Sequence, residues 1–336
     1  MMQRVLGTNL TAEQRDLLRM TASKDIRLRR KYRRALAQVL EGAFRAAVLE
    51  EDSIGSIYQT ISIAAGADVK FPLHFLPPGA EEDRVAWVMP KEGAIPHRFI
   101  EGDEVYVPTY ELANSIDWPL RYARDARWDV VADAMDVFRY GFTRKKNDDG
   151  WHTLLASAIG NGRIVDTAAA QGAFTKRLIT NLMTGIRRLT GGRASRVTDI
   201  YLSPEAMADI RNWTDTEVDE ITRREIFVGP NPGGLPSIFG IALHELQELG
   251  DGQRYQDWME DSDGGNQSGW FTTDDEFCVA LDLRGRANYP FKMPLREDLG
   301  VFDDESLHRS ARMGVYGWME LGFVVLDARY ALIGTF

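Results

Sequence analysis

Residues 118–159 read WPLRYARDARWDVVADAMDVFRYGFTRKKNDDGWHTLLASAI. Trp128, Val131, Met135, Phe138 and Phe142 recur there at spacings of 3, 4, 3 and 4, the repeat that lines large side chains along one face of an α-helix. That face has to be buried. Ala126, Val130, Ala134 and Val137 widen the stripe, while Asp125, Asp129, Asp133 and Asp136 make an acidic face in the N-terminal half. Arg139, Arg144, Lys145 and Lys146 gather at the other end, so charge runs in the sense the helix dipole favours. From Ala123 to Lys146 the rise is about 36 Å, enough to span a domain. The rod is longer if the chain stays helical through Trp151 to Ile159, and Asn147-Asp148-Asp149-Gly150 is its weak point, able to cap a second helix at Trp151 or to break the rod there.

Upstream, Thr11-Ala12-Glu13-Gln14 has the form of a capping box. Leu28, Tyr32, Leu36, Val39, Ala43 and Ala47 then predict an amphipathic helix, or helix pair, reaching about Leu49 with its arginines outward. This arm has one apolar face and no partner of its own, so it is expected to pack on another lobe or another subunit. From Ile54 to Tyr110 the texture is β, in Ile57, Ile61 and Ile63, then Val69 to Phe71, Val85 to Met89 and Glu104 to Pro108. Pro72, Pro77, Pro78, Pro90 and Pro96 exclude a central sheet. The stretch predicts a long, edge-exposed hairpin that is marginal alone in water and is stabilised by lying on a neighbour.

Downstream, Gly160-Asn161-Gly162 ends the long element and Phe174 to Leu189 predicts a helix closed at Thr190-Gly191-Gly192. Val197 to Leu202 predicts a strand, and Ser203-Pro204 starts a helix running to Trp213. Ile238 to Leu249 reads as a strand pair, Phe277 to Leu283 as a buried strand, and Ala311 to Phe336 as nearly all β. The fold class is α+β.

The chain has 336 residues, 44% of them hydrophobic and 27% charged, ordinary values for a globular protein of two lobes. No apolar run approaches the roughly 20 residues of a membrane span, and Met1-Met2-Gln3-Arg4 lacks a signal peptide's hydrophobic region, so folding in a reducing cytoplasm is expected. The single cysteine, Cys278, makes no internal disulfide and reads as a buried thiol. A net charge of −10 argues against a dedicated nucleic-acid binder. Lys24, Arg27, Arg29, Arg30, Lys31, Arg33 and Arg34 nevertheless cluster in one run, and acids collect at Asp257 to Asp263, Asp274 to Glu276 and Glu297 to Glu305. The basic run is either a solvated helix face or a contact to a polyanion or an acidic partner.

Catalytic and metal motifs fail on inspection. His244-Glu245-Leu246-Gln247-Glu248 has Glu248 where a zinc site needs its second histidine. Asp261 to Asn266 begins like a calcium loop but has Gly265 and Thr272 at ligand positions. Gly160-Asn161-Gly162 follows a helix and is continued by Val165, unlike a dinucleotide turn. No catalytic residue, cofactor site or metal site is expected.

The order of parts, from VYVPTYELANSIDWPLRYARDARWDVVADAMDVFRYGF (105–142) through VTDIYLSPEAMADIRNW (197–213) to MGVYGWMELGFVVLDARYALIG (313–334), resembles the major capsid proteins of tailed bacteriophages with the Hong Kong 97-type fold. That resemblance implies an N-terminal arm at 1–52, a strand leading into the peripheral domain at 53–65 and an extended β-hairpin loop at 66–107. It further implies a peripheral domain with a long spine helix at 108–173, a mixed axial domain at 174–290, and a return into the peripheral domain at 291–336. Trp128, Val131, Met135, Phe138 and Phe142 would form the spine-helix core. Phe71, Phe75, Trp87 and Met89 would make the extended loop's contacts, and Arg27, Arg29, Arg30, Lys31, Arg33 and Arg34 would lie at a subunit contact or on the inner wall. The function implied is self-assembly through hexamers and pentamers into an icosahedral shell enclosing double-stranded DNA, located in the virion and assembled in the host cytoplasm. A separate scaffolding protein, a cement protein and a portal would be partners, DNA would be touched weakly and non-specifically, and no membrane is involved.

Some members of that family join a loop lysine to an asparagine near the C-terminus; here Lys70 and Lys91 are present but no asparagine follows Asn288, so shells are expected to be non-covalent. Three alternatives stay open: an encapsulin-like nanocompartment shell, a minor capsid or portal-proximal component, and a cytosolic α+β enzyme using Asp303, Glu305 and His308.

Overall fold

The structure, a computed structural model, describes residues 20–21, 27–29, 31–33, 35–36, 52–64, 66–73, 103–125, 128–166, 173–190, 195–213, 236–260, 276–284 and 289–336. A 3₁₀ turn at Ile54–Ser56 leads to β1 (Gln59–Ser62), β2 (Lys70–Leu73), β3 (Asp103–Tyr106) and β4 (Tyr110–Pro119). Two helices follow, α1 (Leu120–Arg124) and α2 (Trp128–Gly160), then β5 (Ile164–Asp166), α3 (Lys176–Leu189), β6 (Asp199–Leu202) and α4 (Pro204–Asn212). The remainder is β7 (Ser237–Ile238), β8 (Ile241–Glu245), α5 (Arg254–Glu260), β9 (Phe277–Leu281), β10 (Phe291–Asp303), β11 (Arg312–Leu321), β12 (Val324–Val325) and β13 (Ala331–Thr335). The capping box at Thr11, the loop segment with Phe75, Trp87 and Met89, and the calcium-like loop at Asp261 lie outside the described residues.

The chain divides into two units. The first comprises Met1–Lys70, Tyr106–Trp151 and Lys292–Phe323. Its sheet has the order β1-β10-β11-β4, with β1 parallel to β10 and the other neighbours antiparallel. β4 and β11 pair over ten residues without a break, from Tyr110↔Leu321 to Pro119↔Arg312. Strand alternation sends Leu112, Ile116 and Trp118 of β4 and Met313, Val315, Met319 and Leu321 of β11 to one face. There they form a single core with Met135, Phe138 and Phe142 of α2. Gly317 interrupts the apolar row because a Cβ there would stand 3.0 Å from the Phe138 ring and 2.7 Å from the Gly300 carbonyl; the ring occupies the space.

Three expectations need correction in this unit. The long helix does not extend back to Ala123: α1 ends at Arg124, Asp125 is in a turn, and α2 begins at Trp128. It is continuous through 147–150 and runs for 33 residues, about 50 Å. Val137 does not widen the buried stripe but is 64% exposed, since it sits about 200° around the helix from Met135. On the arm, Arg33 is not outward: it is 1% exposed, and its Nε donates to the Thr21 carbonyl at 3.2 Å, while Leu28 is open to solvent. The helix buries the face of Arg33 and Leu36, not that of Leu28. The arm packs on a lobe of its own chain, one of the two alternatives expected, because Leu36 belongs to the same core as Met135 and Phe138.

The second unit comprises Phe71–Val105, His152–Phe291 and Val324–Phe336. Its six-stranded sheet has the order β5-β13-β9-β6-β8-β7. β9 is antiparallel to both β13 and β6, β6 is parallel to β8, and β13 is parallel to β5. β9 and β13 are buried at every position, the mark of strands covered on both faces. α3 begins where Thr175 accepts the Leu178 amide, and α4 where Ser203 accepts the Ala206 amide with Pro204 in the first turn. Leu178, Leu182 and Ile186 of α3 and Met207 and Ile210 of α4 share a core with β6, β8, β9 and β13. The C-terminal segment therefore does not return wholly to the first lobe. From Val324 it belongs to the second unit, where β13 pairs with β5 and β9. Separately, β2 and β3 pair with each other in a two-stranded sheet, and Val107 donates its amide to the Val69 carbonyl.

Candidate assembly surface

The Asn147-Asp148-Asp149-Gly150 segment, a local stop signal, is held helical by partners. Asp149 receives Lys145 Nζ at 2.6 Å and Arg144 Nε lies 4.0 Å from Asp148, both one turn earlier. The Tyr110 hydroxyl of β4 also donates to Asp149, at 2.8 Å. Burial and that carboxylate push the Tyr110 hydroxyl's pKa well above the ordinary phenol value.

Gly150 is a notch. A Cβ at that position would come within 2.8–3.0 Å of three side-chain carbons of Ile54. Through the notch Ile54 reaches full burial, and the Tyr58 hydroxyl donates to the Gly150 carbonyl at 3.0 Å. Flanking it, Lys146 pairs with Asp52, both side chains being almost wholly buried, and the Trp151 indole donates to Ser53 at 3.3 Å. Residues 52–58, which lead toward β2, are thus locked onto the helix by an ion pair, two hydrogen bonds and one interdigitated aliphatic side chain. A second lock lies nearer the helix's start, where the Asn114 amide of β4 donates to the Phe138 carbonyl at 3.1 Å, over the bare backbone of Gly141.

With one face of α2 fixed, the opposite face carries Asp133, Val137, Tyr140 and Arg144, all exposed and spaced 4, 3 and 4. Val137 and Tyr140, at 64% and 57% exposure, form an apolar step between an acid and a base. Of the predicted core residues, Met135, Phe138 and Phe142 are buried, Phe138 and Phe142 meeting edge to face at 5.1 Å. Trp128 and Val131 lie in the helix, with side chains outside those described.

In the basic run, Arg27 and Lys31 are exposed, Arg29 is half-buried and Arg33 is buried; Arg30 and Arg34 are outside the described residues. Phe71 of β2 is buried within this chain. Asp303 ends β10, while the side chains of Glu305 and His308 are not among those described. His244 contacts Asp199 at 2.8 Å and stacks on Tyr201 at 4.6 Å. Burial drives the Cys278 thiol up to about 12. Among the described residues no three His, Cys, Asp or Glu side chains gather as a metal site, and no helix is long and apolar enough to cross a membrane. A feature the sequence reading missed is a row of aromatic rings on the sheet face turned away from α2: Phe302, Tyr316 and Trp318, with centroids 4.7–5.7 Å apart. The alternation of Tyr316, Trp318 and Glu320 with apolar residues was the available signal.

No family model matches the chain, and no curated protein matches it in sequence. Solved structures do. A structure from Microbacterium phage Oxtober96 is 13% identical, over 84% of this chain and 90% of that one, with a TM-score of 0.56. The capsid of an empty GTA particle, computed with C5 symmetry, is 13% identical over 85% and 90%, also at 0.56. A structure from Mycobacterium phage Cain is 14% identical over 84% and 89%, at 0.52. The fold is therefore the mixed helix-and-strand fold of Hong Kong 97-type phage capsid proteins, with sheets that do not close into barrels.

Proposed function

We propose that this chain is a major capsid protein that assembles through hexamers and pentamers into an icosahedral shell around double-stranded DNA. The observation that carries the reading is the correspondence of fold over most of both chains with phage and GTA capsid structures. The exposed Val137–Tyr140 step on a helix otherwise locked into its own unit supports it, because a large apolar pair on a rigid rod is a site for a neighbour's cover.

In this reading residues 1–52 are an arm, 66–107 an extended loop, and α2 the spine of a peripheral domain built on the β1-β10-β11-β4 sheet. The six-stranded sheet with α3 and α4 is the axial domain. The loop's Phe75, Trp87 and Met89 contribute to subunit contacts, as do the exposed cations of the basic run, whereas Phe71 is buried within its own chain and does not. Its partners are copies of itself, a separate scaffolding protein, a cement protein and a portal, and its place is the virion, after assembly in the host cytoplasm. A net charge of −10 suits a wall that touches packaged DNA only weakly. Image averaging of purified particles tests the arrangement: six-fold and five-fold capsomers around nuclease-protected double-stranded DNA support it. Particles filled with a cargo enzyme would replace it with the nanocompartment reading.

A further inference from the structure

Strand register places a second functional face on the first unit. On the side of the sheet away from α2, Phe302 pairs with Tyr316, Gly300 with Trp318 and Glu297 with Glu320. On the next strand Ser115, Ala113 and Glu111 stand beside Tyr316, Trp318 and Glu320. The three aromatic rings are therefore surrounded by a floor of small residues, Gly300, Ala113 and Ser115, which leaves their sides open; Phe302 is 38% exposed. The rim is acidic. Glu111, Glu297 and Asp298 are exposed, and Glu297 orients the Trp318 indole by accepting its N–H at 3.0 Å. Two cations of the same strands are engaged, Arg296 with Glu320 and Arg312 with Asp117. A row of π-faces framed by carboxylates is suited to guanidinium and ammonium groups, which stack on aromatic rings while pairing with acids.

The chain carries one dense supply of such groups, Lys24 to Arg34. Among the described residues of this segment, Leu36 sits in the core on the α2 side of the sheet and Arg33 is buried against Thr21, which holds that part of the run away from its own copy's aromatic face. Arg27 and Lys31 are exposed. We infer that the aromatic, acidic face formed by Phe302, Tyr316 and Trp318 is the docking site for the exposed cations of the basic run, Arg27 and Lys31 among them, of a second copy of this chain. This rests on the shell reading and deepens it, naming one contact between subunits.

The test uses the full chain with Phe302 replaced by the photoreactive benzoylphenylalanine, mixed as isotopically light and heavy copies and irradiated after assembly. Mixed light–heavy adducts to peptides from 24–34 are expected. In a parallel arm, Glu297→Lys with Asp298→Lys weakens subunit association about tenfold or more, and Arg27→Glu with Lys31→Glu on the other copy recovers it. Adducts to another segment, to DNA or to a cement protein overturn the inference while intact shells leave the capsid reading standing. A chain that stays monomeric, with no light–heavy adducts, overturns both.

Discussion

Lys146 of the long helix and Asp52, 94 positions earlier in sequence, form an ion pair in which both side chains are almost wholly removed from water. A buried pair gains little over an apolar pair of similar volume, but removing one partner strands the other charge, at a cost of about 3–5 kcal/mol. Asp52→Asn is therefore expected to destabilise the protein by an amount in that range in denaturant unfolding. The double change Asp52→Leu with Lys146→Met should recover most of it. Equal losses in the single and double variants would show that the pair does not anchor residues 52–58.

Gly150→Ala sets two effects against each other. Alanine favours a helix over glycine by about 1 kcal/mol, but its methyl would intrude on Ile54, and overpacking costs about 1–3 kcal/mol. A net loss of stability is expected, reduced when Ile54→Val trims the opposing side chain. Stabilisation by Gly150→Ala alone would mean that the notch is not needed.

Glu276 gives the second unit a pH dependence. Burial, followed by the nearby carboxylates Glu205, Asp209 and Asp251, raises its pKa against the lowering effect of the Ser203 hydrogen bond. The fold thus favours the neutral acid. Its stabilising contribution is complete below the unfolded value of about 4.3 and is lost as pH rises through the raised folded value. Glu276→Gln, which keeps the neutral shape, should raise the melting temperature at pH 8 and leave it nearly unchanged near pH 4. A variant less stable than the parent at pH 8 would contradict the sign.

On α2, Val137→Asp and Tyr140→Ala should leave the melting temperature of the free subunit within about 1 °C, since exposed substitutions change stability by no more than about 0.5 kcal/mol. Light scattering during assembly should show slowed or incomplete particle formation. Normal particles from the double variant would remove this stripe from the subunit contacts.

Particular residues show what was legible in the sequence. Met135, Phe138 and Phe142 declared their burial through a local period, and Ser203-Pro204 declared a helix start through capping chemistry. Asn147 to Gly150 left the helix's continuity open because the forces that keep them helical come from elsewhere: Tyr110, Ile54 and Tyr58 are distant in sequence. β10 was hidden because Pro294 and the acids from Glu297 onward interrupt the alternation expected of a strand, and its pairing with β11 absorbs two register shifts. Arg33 reads as a surface cation unless the Thr21 carbonyl is known to face it. The apolar run of β13 reads plainly as a strand, but the sheet it joins is decided by β5 and β9. At the candidate assembly surface, the basic run and the spine were legible as segments, whereas the Val137–Tyr140 step and the aromatic row emerged only once helix rotation and strand register were fixed.

Negative-stain microscopy of the full chain, expressed alone and together with a candidate scaffolding protein, tests the central claim most directly. Closed shells of uniform diameter, built from many copies of the 37.9 kDa subunit, are the expected result. A monodisperse 37.9 kDa monomer under both conditions at micromolar concentration would contradict it.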